Sequence, residues 1–342
     1  MNKVRLLLSI LLPLSVLLLL SVWWLPGCRS QEQKIAAIEL PLVIERLDHD
    51  LYRMIDDSTC RSLPELRAQY GRFFEYYNTG IIRAGESRNA QYCDIVQRFL
   101  HHPVVDSAYR KVRDVYADDR PLRNELTDAF RHFRYYFPDA AIPHIYMYVS
   151  GFNESLMLTD SAVGIGLDQF LGADYPLYAQ LGKAVYQRYN MRPERVTPAC
   201  LQAWLAGEYP EPFGGESNLL TRLIYEGKIL YILRQCMPRK AFDDILGFRP
   251  EQLQWCIDNE RLLWQYLIEE RLLFVTTPFV IQKYAGDAPF TAGLPPESPG
   301  KAANWTGYRI VERYMKQSKC SLPELMQINN PQQLLKEARY NP

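Results

Sequence analysis

The chain has 342 residues, carries 39 basic against 39 acidic side chains, and is 48% hydrophobic. A neutral balance excludes the basic footprint of nucleic-acid binding and of attraction to anionic lipid headgroups, while the apolar fraction is ample for a large core. Aromatic residues make up 13% of the chain and include 23 tyrosines, which fit either a Tyr-rich core with hydroxyls at its edge or a partner-binding surface.

Residues 1–27 read as an export signal. Met1-Asn2-Lys3-Val4-Arg5 is a short basic start, Leu6 to Leu25 is apolar and uncharged, and Leu25-Pro26-Gly27-Cys28 closes the segment with a small residue before the thiol. This order resembles the bacterial lipoprotein signal, with Cys28 as the lipidation site and Pro26 as a departure from the usual small or branched residue. The competing reading is an uncleaved anchor, since about 20 apolar residues span a bilayer. Both readings put the rest of the chain outside the inner membrane. Residues 28–40 then form a lipidated polar tether, and 41–342 form a single globular domain. Beyond Cys28 the thiols are Cys60, Cys93, Cys200, Cys236, Cys256 and Cys320. An exported chain permits disulfides, but the spacing does not select a pairing. No C-x-x-C occurs.

Within the domain, Leu40 to Leu47 fits a strand. Ser62-Leu63-Pro64-Glu65 has capping-box spacing with Pro in the first turn, and predicts a helix running to about Tyr77. Further helical patterns cover 91–101, 103–117 and 120–136. Pro143 to Val149, Ser155 to Thr159 and Ala162 to Leu167 are strand-like. Their close spacing predicts a small antiparallel sheet. Helices resume over 175–189, 194–206, 217–235, 250–285 and 303–317, and Ser321-Leu322-Pro323-Glu324 repeats the capping box. The class is α+β, predominantly helical, with helices packing one small sheet.

Catalytic signatures are sparse. The chain lacks G-x-S-x-G and a P-loop, and no two of its 5 histidines stand four apart. His101 and His102 are adjacent, so on a helix they point about 100° apart and do not share a metal easily. The segment from Ser217 to Gln235 is more informative. Leu219, Leu223, Leu230 and Leu233 form an apolar stripe on which Glu226 also falls. A buried carboxylate needs a partner, and Arg222 lies one turn back. Gly227 costs about 1 kcal/mol relative to Ala in mid-helix, which predicts a close backbone approach there.

Several segments together resemble the gliding-motility-associated lipoprotein family GldB of Bacteroidota. They are Arg46-Leu47-Asp48, the run Val163 to Gly172 with Asp174-Tyr175-Pro176, and Ile224-Tyr225-Glu226-Gly227-Lys228-Ile229-Leu230-Tyr231. Trp264, Asn304-Trp305-Thr306-Gly307-Tyr308-Arg309-Ile310-Val311 and Tyr314-Met315 complete the set. Asn304 to Gly307 departs from a Gly-Trp-Ile-Gly-like run in relatives. The resemblance implies a lipoprotein of the outer membrane, facing the periplasm, associated with gliding or a related secretion apparatus. It also implies a frame similar to zincin-type peptidases of the H-E-x-x-H kind, in which two histidines hold zinc and the glutamate activates water. In this chain only Glu226 survives from that motif. Tyr225 and Ile229 occupy the ligand positions, and Glu260 matches a third ligand that holds nothing alone. The resemblance therefore implies no cofactor, no metal site and binding in place of catalysis. Asp160-Ser161-Ala162 and two similar runs also resemble the O-glycosylation sites of that phylum.

Two functions follow. The first is a non-enzymatic lipoprotein attached to the membrane through its lipid, with protein partners in an envelope assembly and no nucleic acid. The alternative is a hydrolase, or a peptide- or peptidoglycan-binding protein, with a degenerate cleft built from Tyr225, Glu226, Lys228, Asp168 and Glu260. An open cleft in which Tyr225, Lys228 and Asp168 converge on Glu226 favours the alternative; a Glu226 sealed among helices favours the first.

Overall fold

The computed structural model describes residues 30–57, 59–211 and 217–342; the segment expected as an export signal, Cys28 and Ser58 lie outside them. These residues fall into two units divided between Glu39 and Leu40. In the first unit the polar run expected as a tether forms a short helix, α1 (Gln31–Ala36). Ser30 caps it reciprocally: its hydroxyl accepts from the Gln33 N–H, and the Gln33 carboxamide oxygen accepts from the Ser30 N–H.

The second unit is built on a four-stranded sheet of β1 (Ile44–Arg46), β2 (His144–Tyr148), β3 (Leu156–Leu158) and β4 (Ala162–Gly166), in the order β1-β2-β4-β3. The sheet is mixed, which corrects the antiparallel expectation. β1 pairs with β2, and β2 with β4, in parallel; only β3 runs antiparallel to β4. The reason is the path of the chain. After β2 it passes to the far edge, forms β3, turns back, and inserts β4 between β3 and β2. Short spacing between strands suggests hairpins, but only the β3–β4 turn is one. All five residues of β4 are buried, as expected of a strand covered on both faces.

The Arg46-Leu47-Asp48 segment now has a physical role. The buried Arg46 guanidinium donates to both Asp48 carboxylate oxygens, at 2.8 and 2.7 Å, and to Asp119 at 3.0 Å. Arg123 also donates to Asp119 and to the Ile44 carbonyl, at 2.9 and 2.8 Å. Bidentate geometry suits arginine. Here it fastens β1 to the start of the helix that carries Arg123.

In chain order the helices of this unit begin with α2 (Leu47–Tyr52), α3 (Leu63–Tyr76), α4 (Tyr92–Leu100), α5 (Pro103–Val115) and α6 (Arg120–Tyr136). The last three match the periodicity. α5, for example, buries Val105, Ala108, Tyr109 and Val112 at helical spacing. After β4 come α7 (Pro176–Gln180), α8 (Val185–Tyr189), α9 (Val196–Glu208), α10 (Leu219–Cys236) and α11 (Phe242–Leu246). They are followed by α12 (Pro250–Asp258), α13 (Glu260–Glu269), α14 (Pro278–Ala285), α15 (Ala303–Gln317), α16 (Leu322–Gln327) and α17 (Pro331–Ala338). The long helix read over 250–285 is three helices. Arg271 adopts φ 53°, and Pro278 drives the residues before it out of the helical region.

The two capping boxes part company. At Ser321 the box forms. At Ser62 it does not: the residue sits at φ −76°, ψ −8°. A capping side chain needs extended backbone, and the turn that enters α3 is already wound, with the Leu63 N–H on the Cys60 carbonyl. Cys60 is joined to Cys93 with a Cα–Cα distance of 6.0 Å, tying that turn to the first turn of α4. Cys200, Cys236 and Cys256 are free and buried, and Cys320 is free and half-buried. Among the described residues no helix is long and apolar enough to cross a membrane.

α10 is buried nearly all round, the mark of a helix enclosed by a core. Its closest neighbour is α15, and the crossing is made at two glycines. A Cβ on Gly227 would lie 2.3 Å from the Gly307 carbonyl oxygen, and one on Gly307 would lie 1.9 Å from the Leu223 carbonyl oxygen. The close approach predicted at Gly227 is thus backbone against backbone. Mid-helix Gly→Ala ordinarily stabilises by up to about 1 kcal/mol. Here Gly307→Ala and Gly227→Leu are expected to destabilise, by about 1–3 kcal/mol through overpacking. Denaturant unfolding of the purified full-length variants in detergent checks this, and a raised midpoint for either would reject the crossing.

Candidate functional site

α10 begins at an N-cap, Asn218, whose side chain accepts from the Thr221 N–H at 3.0 Å. One turn on, Arg222 points along the helix to Glu226 at 2.7 Å and across to Glu211 at 2.5 Å. One guanidinium thus serves two carboxylates. Glu226 is only 9% exposed. Burial pushes its carboxyl up, opposed by the nearby positive charges of Arg222 and Lys301. The pairing is the one that the i, i+4 spacing allows. A carboxylate held this way is occupied by its own helix.

The neighbouring side chains turn elsewhere. The Tyr225 hydroxyl donates to the Tyr209 carbonyl at 3.0 Å, and Lys228 Nζ donates to the Ile328 carbonyl at 2.5 Å. Both line a pocket of about 270 Å³ between α10 and the α16–α17 turn, in which Glu226 has no part. Lys228 is buried, and no carboxylate stands within ion-pair distance of it among the described residues. Burial pushes its ammonium down to about 8, against a smaller upward pull from Cys320. Ile229, in the second ligand position of the H-E-x-x-H comparison, is buried apolar core.

Asp168 belongs to a different assembly. It follows β4 and is fully buried. Its carboxylate accepts from the Ser150 N–H at 2.9 Å, the Phe152 N–H at 2.6 Å and the Ser150 hydroxyl at 2.9 Å. Burial lifts it to about 6, with those donors pulling the other way. It thereby pins the turn that leaves β2, where Gly151 and Phe152 have φ of 68° and 65°. Glu260 opens α13, pairs with Arg309 of α15 at 2.9 Å, and accepts from the Tyr340 hydroxyl at 3.0 Å.

Of the five residues read as a degenerate cleft, the structure brings Tyr225 and Lys228 to one pocket. It places Glu226 in an ion pair beside them, and gives Asp168 and Glu260 partners of their own. Among the described residues no three His, Cys, Asp or Glu side chains stand together as metal ligands. Sequence reading missed a cavity of about 670 Å³ between α3 and the β3–β4 turn. Its signal was available in Tyr70, Phe73 and Tyr76 at i, i+3 spacing, and in the alternation of His144 and Tyr146.

Lys228 generates a pH prediction. Its folded value near 8 lies below the roughly 10.4 of a free lysine. Between those limits the unfolded chain holds the extra proton, so stability rises with pH there. Below about 8 the buried ammonium is charged in both states and costs stability. Lys228→Met is expected to be more stable than the parent at pH 7, with the gap shrinking toward pH 10. Urea midpoints at the two pH values check this, and a constant gap would contradict it.

The family model for gliding motility protein GldB matches residues 28–342, nearly the entire chain. No curated protein and no solved structure matches significantly. With the Tyr225–Tyr231 and Asn304–Val311 segments meeting at one helix crossing, and a family match over almost all residues, the chain belongs to the gliding motility protein GldB family.

Proposed function

We propose that this gliding-motility-related protein is anchored by acyl chains on Cys28 to the outer membrane, facing the periplasm, and acts by docking onto a gliding or secretion assembly. The observation that carries the reading is the family match, whose matched region opens at Cys28. The Cys60–Cys93 bridge supports it, because disulfides persist in oxidising compartments. Each buried methylene of an acyl chain contributes about 0.8 kcal/mol, and two or more chains hold stably. A non-enzymatic role is supported by Tyr225 and Ile229 in the positions where zinc ligands would stand, and by the commitment of Glu226 to Arg222.

Two experiments test these halves separately. Cys28→Ser should abolish incorporation of labelled palmitate and accumulate the unprocessed precursor; normal labelling in that variant ends the anchor proposal. Glu226→Gln should complement a deletion strain at normal protein level, since it keeps shape and hydrogen bonding and leaves Arg222 paired with Glu211. A general base would not survive the change, which typically costs a factor of about 100 to 10,000 in rate. A stable but inactive Glu226→Gln protein would put hydrolysis first.

A further inference from the structure

The cavity of about 670 Å³ lies on the α3 side of the sheet, beside the edge strand β3. Its size is that of ligand sites, which span roughly 300–1,000 Å³. The floor is aromatic. Phe73 stacks on Tyr146 with ring centroids 4.1 Å apart, and Tyr70 gives its hydroxyl to Asp50 at 2.6 Å. Tyr76 stands at the mouth, 41% exposed, with the Arg72 guanidinium 5.6 Å above its ring. The helical wall is broken twice. Gly71 sits at φ 50°, ψ −129° inside α3, and residues Tyr77–Ile81 wind as a π turn. Such turns concentrate at functional sites.

The opposite wall is a strand with an unused edge. Met157 pairs with Gly164, the Thr159 N–H bonds the Ala162 carbonyl at 2.9 Å, and the Gly166 N–H bonds the Ser155 carbonyl at 2.8 Å. Residues 155, 157 and 159 therefore turn their backbone groups toward β4. Antiparallel alternation points the N–H and C=O groups of Leu156 and Leu158 outward. No described residue hydrogen-bonds them. Sheet edges are normally blunted by lysine, proline or a bulge. Leu156-Met157-Leu158 has no charged residue or proline, and Leu158 is 42% exposed.

We propose that this cleft binds an extended peptide segment, which adds as a strand to β3 at Leu156 and Leu158 and turns one large apolar or aromatic side chain into the cavity. The unpaired groups at Leu156 and Leu158 select the occupant. Only an extended main chain offers donors and acceptors alternating at strand spacing, and its side chains alternate too, so one enters the cavity while its neighbours face away. A compact ligand would fill the aromatic floor and leave the strand edge unpaired.

The test uses the purified full-length protein in detergent and capped, fluorescein-labelled hexapeptides of alternating Thr and Val with Phe, Tyr, Leu or Gly at the third position. Fluorescence polarisation should give saturable binding for at least one large side chain and at least tenfold weaker binding for Gly. N-methylation of the peptide main chain should weaken binding at least tenfold as well. Hydrogen-exchange mass spectrometry should show protection across Ser155 to Thr159. Gly80 lines the cavity, and a Cβ there meets no atom within 4 Å, so Gly80→Trp should fold, fill the space and remove the preference for Phe over Gly. Absence of saturable binding by any of the peptides would overturn the proposal. So would affinity indifferent to N-methylation, or protection confined to another segment. These readings need no variant and decide the matter even if Gly80→Trp does not fold. Full displacement of bound peptide by p-cresol, with no protection of residues 155–159, would reduce the cleft to a small-molecule pocket and also reject peptide docking.

Discussion

The crossing of α10 and α15 at Gly227 and Gly307 is the contact on which the other arrangements depend. Because each glycine lies against the partner's backbone carbonyl, the two helices approach more closely than any side chain would permit. Everything mounted on them inherits that fixed distance. Trp305 and Tyr308 flank Gly307 and pack against Phe242. Arg309, two residues beyond Gly307, reaches Glu260 and so draws in α13. A flexible contact would let these groups adjust one at a time. A backbone contact leaves no rotamer to yield, so a change there is felt through the core.

The same crossing decides how the Glu226 region behaves. Gly227 faces α15, so Glu226 and Lys228, one residue to either side, are directed away from one another. Glu226 meets Arg222, and Lys228 reaches the α16–α17 turn. Their charges are handled differently. Arg222 bridges Glu226 and Glu211, which offsets burial. Lys228 has only a carbonyl, and its ammonium is correspondingly easier to neutralise. Asp168 is a third solution: a buried carboxylate held by backbone donors that fix a left-handed turn. Glu226, Lys228 and Asp168 thus have distinct partners and do not converge on one position.

Much was legible because it is local. The i, i+4 spacing of Arg222 and Glu226 implied their pairing, and the cost of glycine in mid-helix implied a close neighbour at Gly227. The apolar periodicity of residues 91–136 gave three helices at nearly their true limits. Local rules failed where a distant contact changed the backbone. Ser62 has the right sequence for a cap, but the turn stapled by Cys60 to Cys93 enters the helix already wound. The strand run was read as antiparallel because neighbours in sequence favour hairpins, while β2 in fact pairs in parallel with β4, Ile145 opposite Val163.

By itself, then, the sequence determined the helical class, the family, and the residues that could not be exposed without cost. These follow from period, charge and residue type within a few turns of chain. Only the tertiary structure decided which thiols pair, that β4 inserts between β2 and β3, that Gly307 is the neighbour of Gly227, and that an aromatic cavity opens beside an unpaired strand edge. Those features join residues tens to a hundred positions apart. No local spacing encodes which distant backbone will arrive, because the choice is made by the packing of the whole core at once.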